Sequence, residues 1–312
     1  MINRARKIVA IEESYNPREI YNIVVNKEQH HDSHWLSKYY SEQQIIHTNC
    51  QVPFAYNRHN YELWLEKIYQ EAVDASKTPH YLDSGILPDG RKVASFSNKS
   101  VKEHLFQKQV QNSFDTAFLG QVGSVGPCDY TEGILQKIKY EESGCGDYQQ
   151  NHCNVYRRTL ENMGFELYPV ENLADDKRLL DDSFADVAFQ LCIGRFPSKY
   201  KSELLGMTLY LEWAGTPEAF RMVKLLKKRN IDSTFYLMHV TADNPKNGHA
   251  NDIKNCIPIY LETILSAKGE QEMQREWQKI YQGYVTWDWI NARFEYKLAY
   301  YLLNFERGSV AA

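Results

Sequence analysis

TFYLMHVTADNPKNGHANDI occupies residues 234–253 and carries two histidines and two aspartates in a stretch whose surroundings indicate a helix. The FYLMHV part would also suit a strand by propensity, but the helical patterns on both sides of it favour a helix. Residues four apart lie on one face of a helix, so His239 and Asp243 can direct an imidazole and a carboxylate at one centre. The segment therefore predicts a pair of metal ligands.

His249 can join this pair only if the helix ends soon after Asp243. An unbroken helix offers no ligand three or four residues beyond Asp243. Pro245 and Gly248 permit a break between residues 244 and 248, which would bring His249 back toward the centre in a labile segment. Taken alone, the three residues also have a purely structural explanation. His239 would be a buried core histidine, Asp243 a polar residue at the end of the helix, and His249 the start of the next helix.

Two further segments favour the metal site over the structural explanation. IKYEESGCGDYQQNHCNVYRRTL, residues 138–160, offers the carboxylates of Glu141 and Glu142 before a glycine-rich turn and His152 in the helix that follows. LLGMTLYLEWAG, residues 204–215, places a single carboxylate, Glu212, in an otherwise apolar helix. A buried carboxylate without a partner is costly, so Glu212 needs a cation, a proton or a metal.

The combined donor set mixes carboxylates with imidazoles, which suits iron or manganese better than zinc. Bridging carboxylates would hold two ions. Ferritin-like bundles use two Glu-x-x-His pairs, and the single such pair here is Glu28 with His31 in the polar N-terminal segment, so a different helical scaffold is expected. Glu141 lies beside Glu142 but faces another side of the helix, so we expect it at the surface or behind the ligands.

The blocks EESGCGDYQQNH, LLGMTLYLEW and HVTADNPKNGHA, taken in this order, resemble the haem-oxygenase-like di-iron oxidases and oxygenases, a family of iron-containing redox enzymes. The resemblance covers about residues 134–266, some two fifths of the chain. It implies an all-α, haem-oxygenase-like bundle of about seven core helices around a non-haem di-iron centre. The implied metal ligands are Glu142, His152, Glu212, His239, Asp243 and His249.

The resemblance also implies two Fe(II) ions as cofactor and dioxygen as co-substrate. The expected enzyme oxidises a small amino acid or amine by N-oxygenation, desaturation or oxidative C–C cleavage in specialised metabolism, with an external electron donor as one option. A fatty-acid oxidase or decarboxylase of the same fold is the alternative within enzymes. A helical protein that binds metal without catalysis is the alternative outside them. A homodimer is one option for its assembly.

The remaining pattern predicts a mostly helical chain with an N-terminal arm or peripheral segment over residues 1–55 and the haem-oxygenase-like di-iron domain over 56–312. Asp147 is expected to cap a helix that ends at Gly164. Helices are expected at about 61–75, 99–120, 129–142, 148–163, 179–193, 198–214, 217–229, 233–244, 250–266, 270–282 and 286–304.

The 36 basic and 40 acidic residues alternate along the chain without a long run of either sign, so nucleic acid is not an expected partner. The chain has neither a run of eighteen apolar residues nor the apolar region of a signal peptide, and we expect a cytoplasmic protein that does not enter a membrane. Six scattered cysteines are expected to be free thiols.

Other motifs carry weaker signals. HHDSH at residues 30–34 could bind a metal, but we expect its histidines in solvent, and the glycine-rich 120–126 lacks the features of a phosphate loop. The placement of Cys145 and Cys153 next to the glycine-rich turn and His152 is expected to be incidental. A carboxylate-bearing substrate would need a cation, and the candidates are Arg157, Arg158 and Arg195.

Overall fold

The computed structural model describes residues 16–48, 50–124 and 126–310. Within these ranges the chain forms helices joined by loops, and the bridge between Ile86 and Lys92 is isolated and belongs to no strand. The predicted all-α class is confirmed.

The α-helices are numbered here in chain order. They are α1 (Pro17–Val25), α2 (Ser33–His47), α3 (Arg58–Lys77), α4 (Tyr81–Ser84), α5 (Asn98–Gln107), α6 (Gln109–Asn112), α7 (Tyr130–Glu142), α8 (His152–Asn162), α9 (Ala185–Ile193), α10 (Lys201–Leu209), α11 (Gly215–Lys228), α12 (Thr234–Ala242), α13 (His249–Lys268) and α14 (Glu270–Val310). A π-helical turn over Tyr210–Ala214 joins α10 to α11, and 3₁₀ turns lie at Lys27–Gln29, Ala117–Leu119, Val170–Asp175 and Asp181–Phe184.

Two glycines set the closest helix crossing in the core. A Cβ atom on Gly206 of α10 would lie 1.9 Å from the carbonyl oxygen of Ile280 in α14. A Cβ atom on Gly283 would lie 2.1 Å from the carbonyl oxygen of Glu203. The two backbones therefore touch at this crossing, which fixes the helical run from α10 into the π-helical turn against α14.

The N-terminal segment contributes to the core. Side chains of α1 and α2, among them Tyr21 and Tyr40, are buried in the same apolar cluster as Trp277 of α14. Residues 16–48 therefore pack into the helical body instead of extending from it as an arm. Residues 1–15 of the predicted arm lie outside the described residues, and the domain boundary at residue 55 stays a prediction.

The structure differs from the helix predictions at three places. The helix expected over 99–120 is replaced by two helices, α5 and α6, which end at Gln107 and Asn112; Thr116, beyond them, has a left-handed φ of 51°. Asn151 caps α8 in place of Asp147, whose carboxylate accepts the amide of Gln149 in the preceding turn. The two helices expected after residue 270 are one helix of 41 residues, since nothing between them interrupts the backbone ladder.

Candidate metal centre

Glu142 is the last residue of α7 and belongs to two sets of side chains that could each hold a metal ion. Within each set the potential ligand atoms lie within 4.8 Å of one another. The first group is Asp115, Glu142, His152 and His239, and the second group is Glu142, Glu212, Asp243 and His249. The structure thus brings together all six predicted ligands and adds Asp115.

In the first group, the carboxylate of Asp115 lies between two imidazoles. Its Oδ2 atom is 3.4 Å from His152 Nδ1 and 3.3 Å from His239 Nε2. His152 Nδ1 also contacts Glu142 Oε2. The Nδ1 atom of His239 donates to the carbonyl oxygen of Phe235 at 2.8 Å, which fixes the ring and leaves Nε2 facing the carboxylates.

The second group surrounds Nδ1 of His249. This atom lies 3.0 Å from Glu142 Oε1, 3.2 Å from Asp243 Oδ1 and 3.4 Å from Glu212 Oε2. The opposite ring nitrogen, Nε2, donates to Glu141 Oε2 at 2.8 Å. Glu141 therefore lies behind His249, a potential ligand, and orients its imidazole. This is one of the two positions expected for Glu141.

Several of these buried polar atoms contact one another and have no hydrogen-bond partner among the described residues outside the two groups. They are both carboxylate oxygens of Glu142, Oδ1 of Asp243, and Nδ1 of His152 and of His249. Burial, followed by the charge of Asp243, raises the pKa of Glu212, so this site is costly for an unaccompanied carboxylate. Converging buried acceptors of this type fit a cation, and their mixed oxygen and nitrogen chemistry fits iron.

Glu212 lies on the π-helical turn, and local hydrogen bonds tie this turn to the second group. A π-helical turn widens the helix by one residue and frequently occurs at functional sites. The hydroxyl of Thr216 donates to the carbonyl oxygens of Glu212, at 3.3 Å, and of Asp243, at 2.9 Å. The two carboxylate-bearing residues are thus held by the same side chain.

The break that returns His249 to the centre is present, as the prediction requires. Helix α12 ends at Ala242, and α13 begins at His249. A Cβ atom on Gly248 would lie 2.0 Å from the carbonyl oxygen of Ala242. Gly248 is therefore needed for close backbone packing, while its φ of −98° is ordinary for any residue.

Asp115 was missed by the sequence reasoning because it stands alone in a short loop with no helical period. The backbone around it is held in place. Its carbonyl oxygen accepts from Lys139 Nζ at 3.0 Å, and the next residue, Thr116, is buried in the left-handed region. Such strain in a non-glycine residue tends to cluster at functional sites, but it leaves no mark in the sequence.

The other candidate residues lie elsewhere. The histidines at 30, 31 and 34 belong to none of the metal-capable groups found among the described residues. Arg157 pairs with Glu161, and Arg195 donates to the hydroxyl of Ser37. Arg158 donates to the carbonyl oxygen of Gln149. These arginines are thus engaged away from the two groups.

The buried carboxylates and imidazoles form, within an all-helical body, a donor set that metal ions could occupy. A family model described as iron-containing redox enzyme matches residues 102–283, which is more than half of the chain and includes all seven residues of the two groups. The chain belongs to this family of iron-containing redox enzymes and has the all-α fold expected of it. A search of curated proteins finds no match. In the described ranges, no helix has the combined length and apolarity of a membrane-spanning segment.

Proposed function

We propose that the centre binds two ferrous ions and that the protein is a non-haem di-iron oxidase or oxygenase acting on a small amino acid or amine. The observation that carries the proposal is the position of Glu142, whose carboxylate belongs to both metal-capable groups. A carboxylate has two oxygens and can therefore bridge two ions. The iron-containing family supports the choice of metal.

In this proposal, each ion takes one group of ligands and the two ions share Glu142. Two ferrous ions can together supply two electrons for the reduction of dioxygen. The chain's own contribution is positional, because Phe235 and Glu141 fix two imidazole rings through the hydrogen bonds described above. Burial of the second group, whose side chains are 2–4% exposed, excludes water from that side.

The substrate is expected to approach from the side of the first group. Asp115 and His239 are 18% and 19% exposed, whereas the side chains of the second group are almost inaccessible. The amino acid or amine would therefore meet the ion bound by Asp115, His152 and His239. A specialised biosynthetic pathway is the expected setting, as the resemblance implies.

Anaerobic reconstitution with Fe(II) tests this function. We expect about two iron ions per chain and, on addition of air, an absorbance change and oxygen consumption that an amino acid or amine accelerates. Fewer than about one ion per chain would contradict the di-iron centre. Two ions without oxygen-dependent change would leave a protein that binds metal without catalysis.

Metal binding is also expected to release protons. Burial lowers the pKa of these imidazoles, but the neighbouring carboxylates outweigh it. The net effect raises the pKa of His152 to about 9 and those of His239 and His249 above the usual range. These rings are therefore protonated near neutral pH without metal, whereas an ion requires them neutral, so affinity falls as the pH is lowered. Calorimetric titration with Fe(II) in two buffers of different ionisation enthalpy measures this release. The difference between the two binding heats should correspond to about one proton or more released per chain. Identical heats would contradict this coupling.

A further inference from the structure

Two oxidisable side chains flank Glu212 on the π-helical turn. Tyr210 lies two residues before Glu212, and Trp213 follows it directly. Since consecutive Cα atoms are about 3.8 Å apart, the Trp213 side chain begins next to a carboxylate-bearing residue of the second group. Among aromatic side chains, tyrosine and tryptophan give up one electron most readily to a strong oxidant. The turn thus places two potential electron donors beside the candidate metal centre.

Trp213 is held in contact with a tyrosine of α3. Its side chain is 5% exposed, and the indole Nε1 atom donates to the carbonyl oxygen of Leu65 at 2.9 Å. The ring centroids of Trp213 and Tyr69 lie 5.4 Å apart, with the two planes inclined by 53°. Aromatic pairs in direct contact pack at such separations. An electron can therefore pass between the two rings without crossing solvent.

Tyr69 lies at a groove on the surface of the protein. The groove has a volume of about 420 Å³, and its lining includes Tyr69, Trp213, Glu66 and Lys254. Pockets that bind small molecules have volumes of about 300 Å³ or more, so this groove can admit one. Tyr69 is half-buried, whereas Trp213 is buried, so a molecule in the groove has better access to Tyr69.

The charges in the groove favour movement of an oxidised state from Trp213 to Tyr69. Lys254 Nζ lies 5.4 Å from the centroid of the Trp213 ring, and a cation there disfavours a positive charge left on the indole. Glu66 precedes Tyr69 by three residues on α3, so the two side chains are neighbours on one face of the helix. The carboxylate of Glu66 stabilises the proton that an oxidised phenol releases.

The first group has a different aromatic neighbour. The ring centroid of Phe235 lies 4.5 Å from that of His239 and 6.4 Å from that of His152. A phenylalanine ring resists oxidation under conditions in which tyrosine and tryptophan react. The nearest tyrosine contact is one ring further, since Tyr156 lies 4.7 Å from Phe235. The oxidisable pair therefore adjoins the second group, whereas the substrate is expected at the first.

We infer that Trp213 and Tyr69 form an electron path that protects the protein when dioxygen is reduced at the centre and no substrate is bound. This inference rests on the proposed function. The groove admits a small, water-soluble one-electron reductant of the ene-diol class, such as ascorbate, which supplies electrons at Tyr69. Oxidation of such reductants is then a second activity of the protein.

The electrons and protons of this path balance. Trp213 gives one electron to the centre and recovers it from Tyr69, which releases its phenolic proton to water in the groove. Ascorbate then returns one electron and one proton to the Tyr69 oxygen and leaves as its radical. Both side chains are restored, and each passage moves one electron from a reductant in solution to the centre.

Freeze-quenched samples of the full chain, loaded with Fe(II) and mixed with air-saturated buffer without substrate, test the path. We expect electron paramagnetic resonance to show an organic radical, whose signal narrows when ring-deuterated tyrosine is incorporated. In Tyr69→Phe the radical should remain on Trp213 and no longer respond to the deuterated tyrosine. Trp213→Phe should lower the radical yield about tenfold. A radical that persists in both variants and disappears in Tyr156→Phe would overturn the inference.

Ascorbate tests the role of the groove. It should quench the radical of the unmodified protein about tenfold faster than that of Tyr69→Phe, because the radical left in this variant lies on a buried ring. Equal quenching rates would show that Tyr69 is not the point at which electrons enter and would overturn the inference.

Peptide mass spectrometry measures the protective effect. After repeated loading and exposure to air without substrate, oxygen atoms added to residues of the second group, such as His249, should be about threefold more frequent in Trp213→Phe than in the unmodified protein. The control is Trp287→Phe, which replaces another buried tryptophan, one that contacts Phe118 and Phe189. Equal damage in Trp213→Phe and in this control would contradict a protective path.

Oxygen consumption and iron content separate the possible failures. Bound iron and oxygen consumption without a radical on either ring would overturn the inference and leave the proposed function standing. Bound iron without oxygen consumption would contradict the proposed function and this inference together. Far-UV circular dichroism shows whether each variant keeps its helices, so that loss of the radical is not mistaken for loss of the fold.

Discussion

Glu142→Gln is expected to lower iron binding from about two ions per chain to fewer than about half an ion. The amide keeps the size of the side chain but removes the negative charge that the first and second groups share. Asp243→Asn touches the second group alone and should leave about one ion bound. Iron analysis after anaerobic reconstitution and desalting measures the difference.

The control for this experiment is Glu161→Gln, which removes an exposed carboxylate on α8 and should keep both ions. Far-UV circular dichroism of each variant reports whether the helices remain intact. Two ions retained in Glu142→Gln would show that Glu142 does not bridge. One ion retained in that variant would show that a single group can fill without it.

Gly206→Ala is expected to destabilise the protein by about 3 kcal/mol or more. The new methyl group would meet the backbone of α14 at 1.9 Å, and a backbone carbonyl at a helix crossing cannot move aside as a flexible side chain can. Chemical denaturation followed by circular dichroism measures the free energy of unfolding, and calorimetry should show a lower Tm.

Gly133→Ala is the matched control, because Gly133 lies within α7 and a Cβ atom there meets nothing within 4 Å. This substitution should stabilise the protein by about 0.5 kcal/mol, since alanine is the better helix former. Equal effects of the two substitutions would contradict the close crossing of α10 and α14.

The parts of the site that could be predicted from sequence are those on regular helices. The i, i+4 spacing of His239 and Asp243 and the isolated charge of Glu212 follow from helical periodicity and the cost of burial. Pro245 and Gly248 indicated the break before His249. The structure places these residues together, while their binding of iron stays a prediction.

The remaining features depend on tertiary structure. Asp115 reaches the centre from a loop that contains the left-handed residue Thr116. No helical or strand periodicity in the sequence predicts its position. The single helix α14 was predicted as two, and Gly283, which lies between the two predicted helices, continues the helix and packs against the backbone of Glu203. The group of His80, His104 and Glu295 joins residues separated by more than two hundred positions along the chain.

The composition of the two groups has an electrochemical consequence. Asp115, Glu142, Glu212 and Asp243 supply four negative charges when ionised, and imidazole ligands are neutral. Two ferrous ions would balance these charges completely. Two ferric ions would leave a net charge of plus two in a desolvated interior, which is costly until anions enter. We therefore expect small anions such as formate and azide to bind the oxidised protein in preference to the reduced one, and to make it harder to reduce.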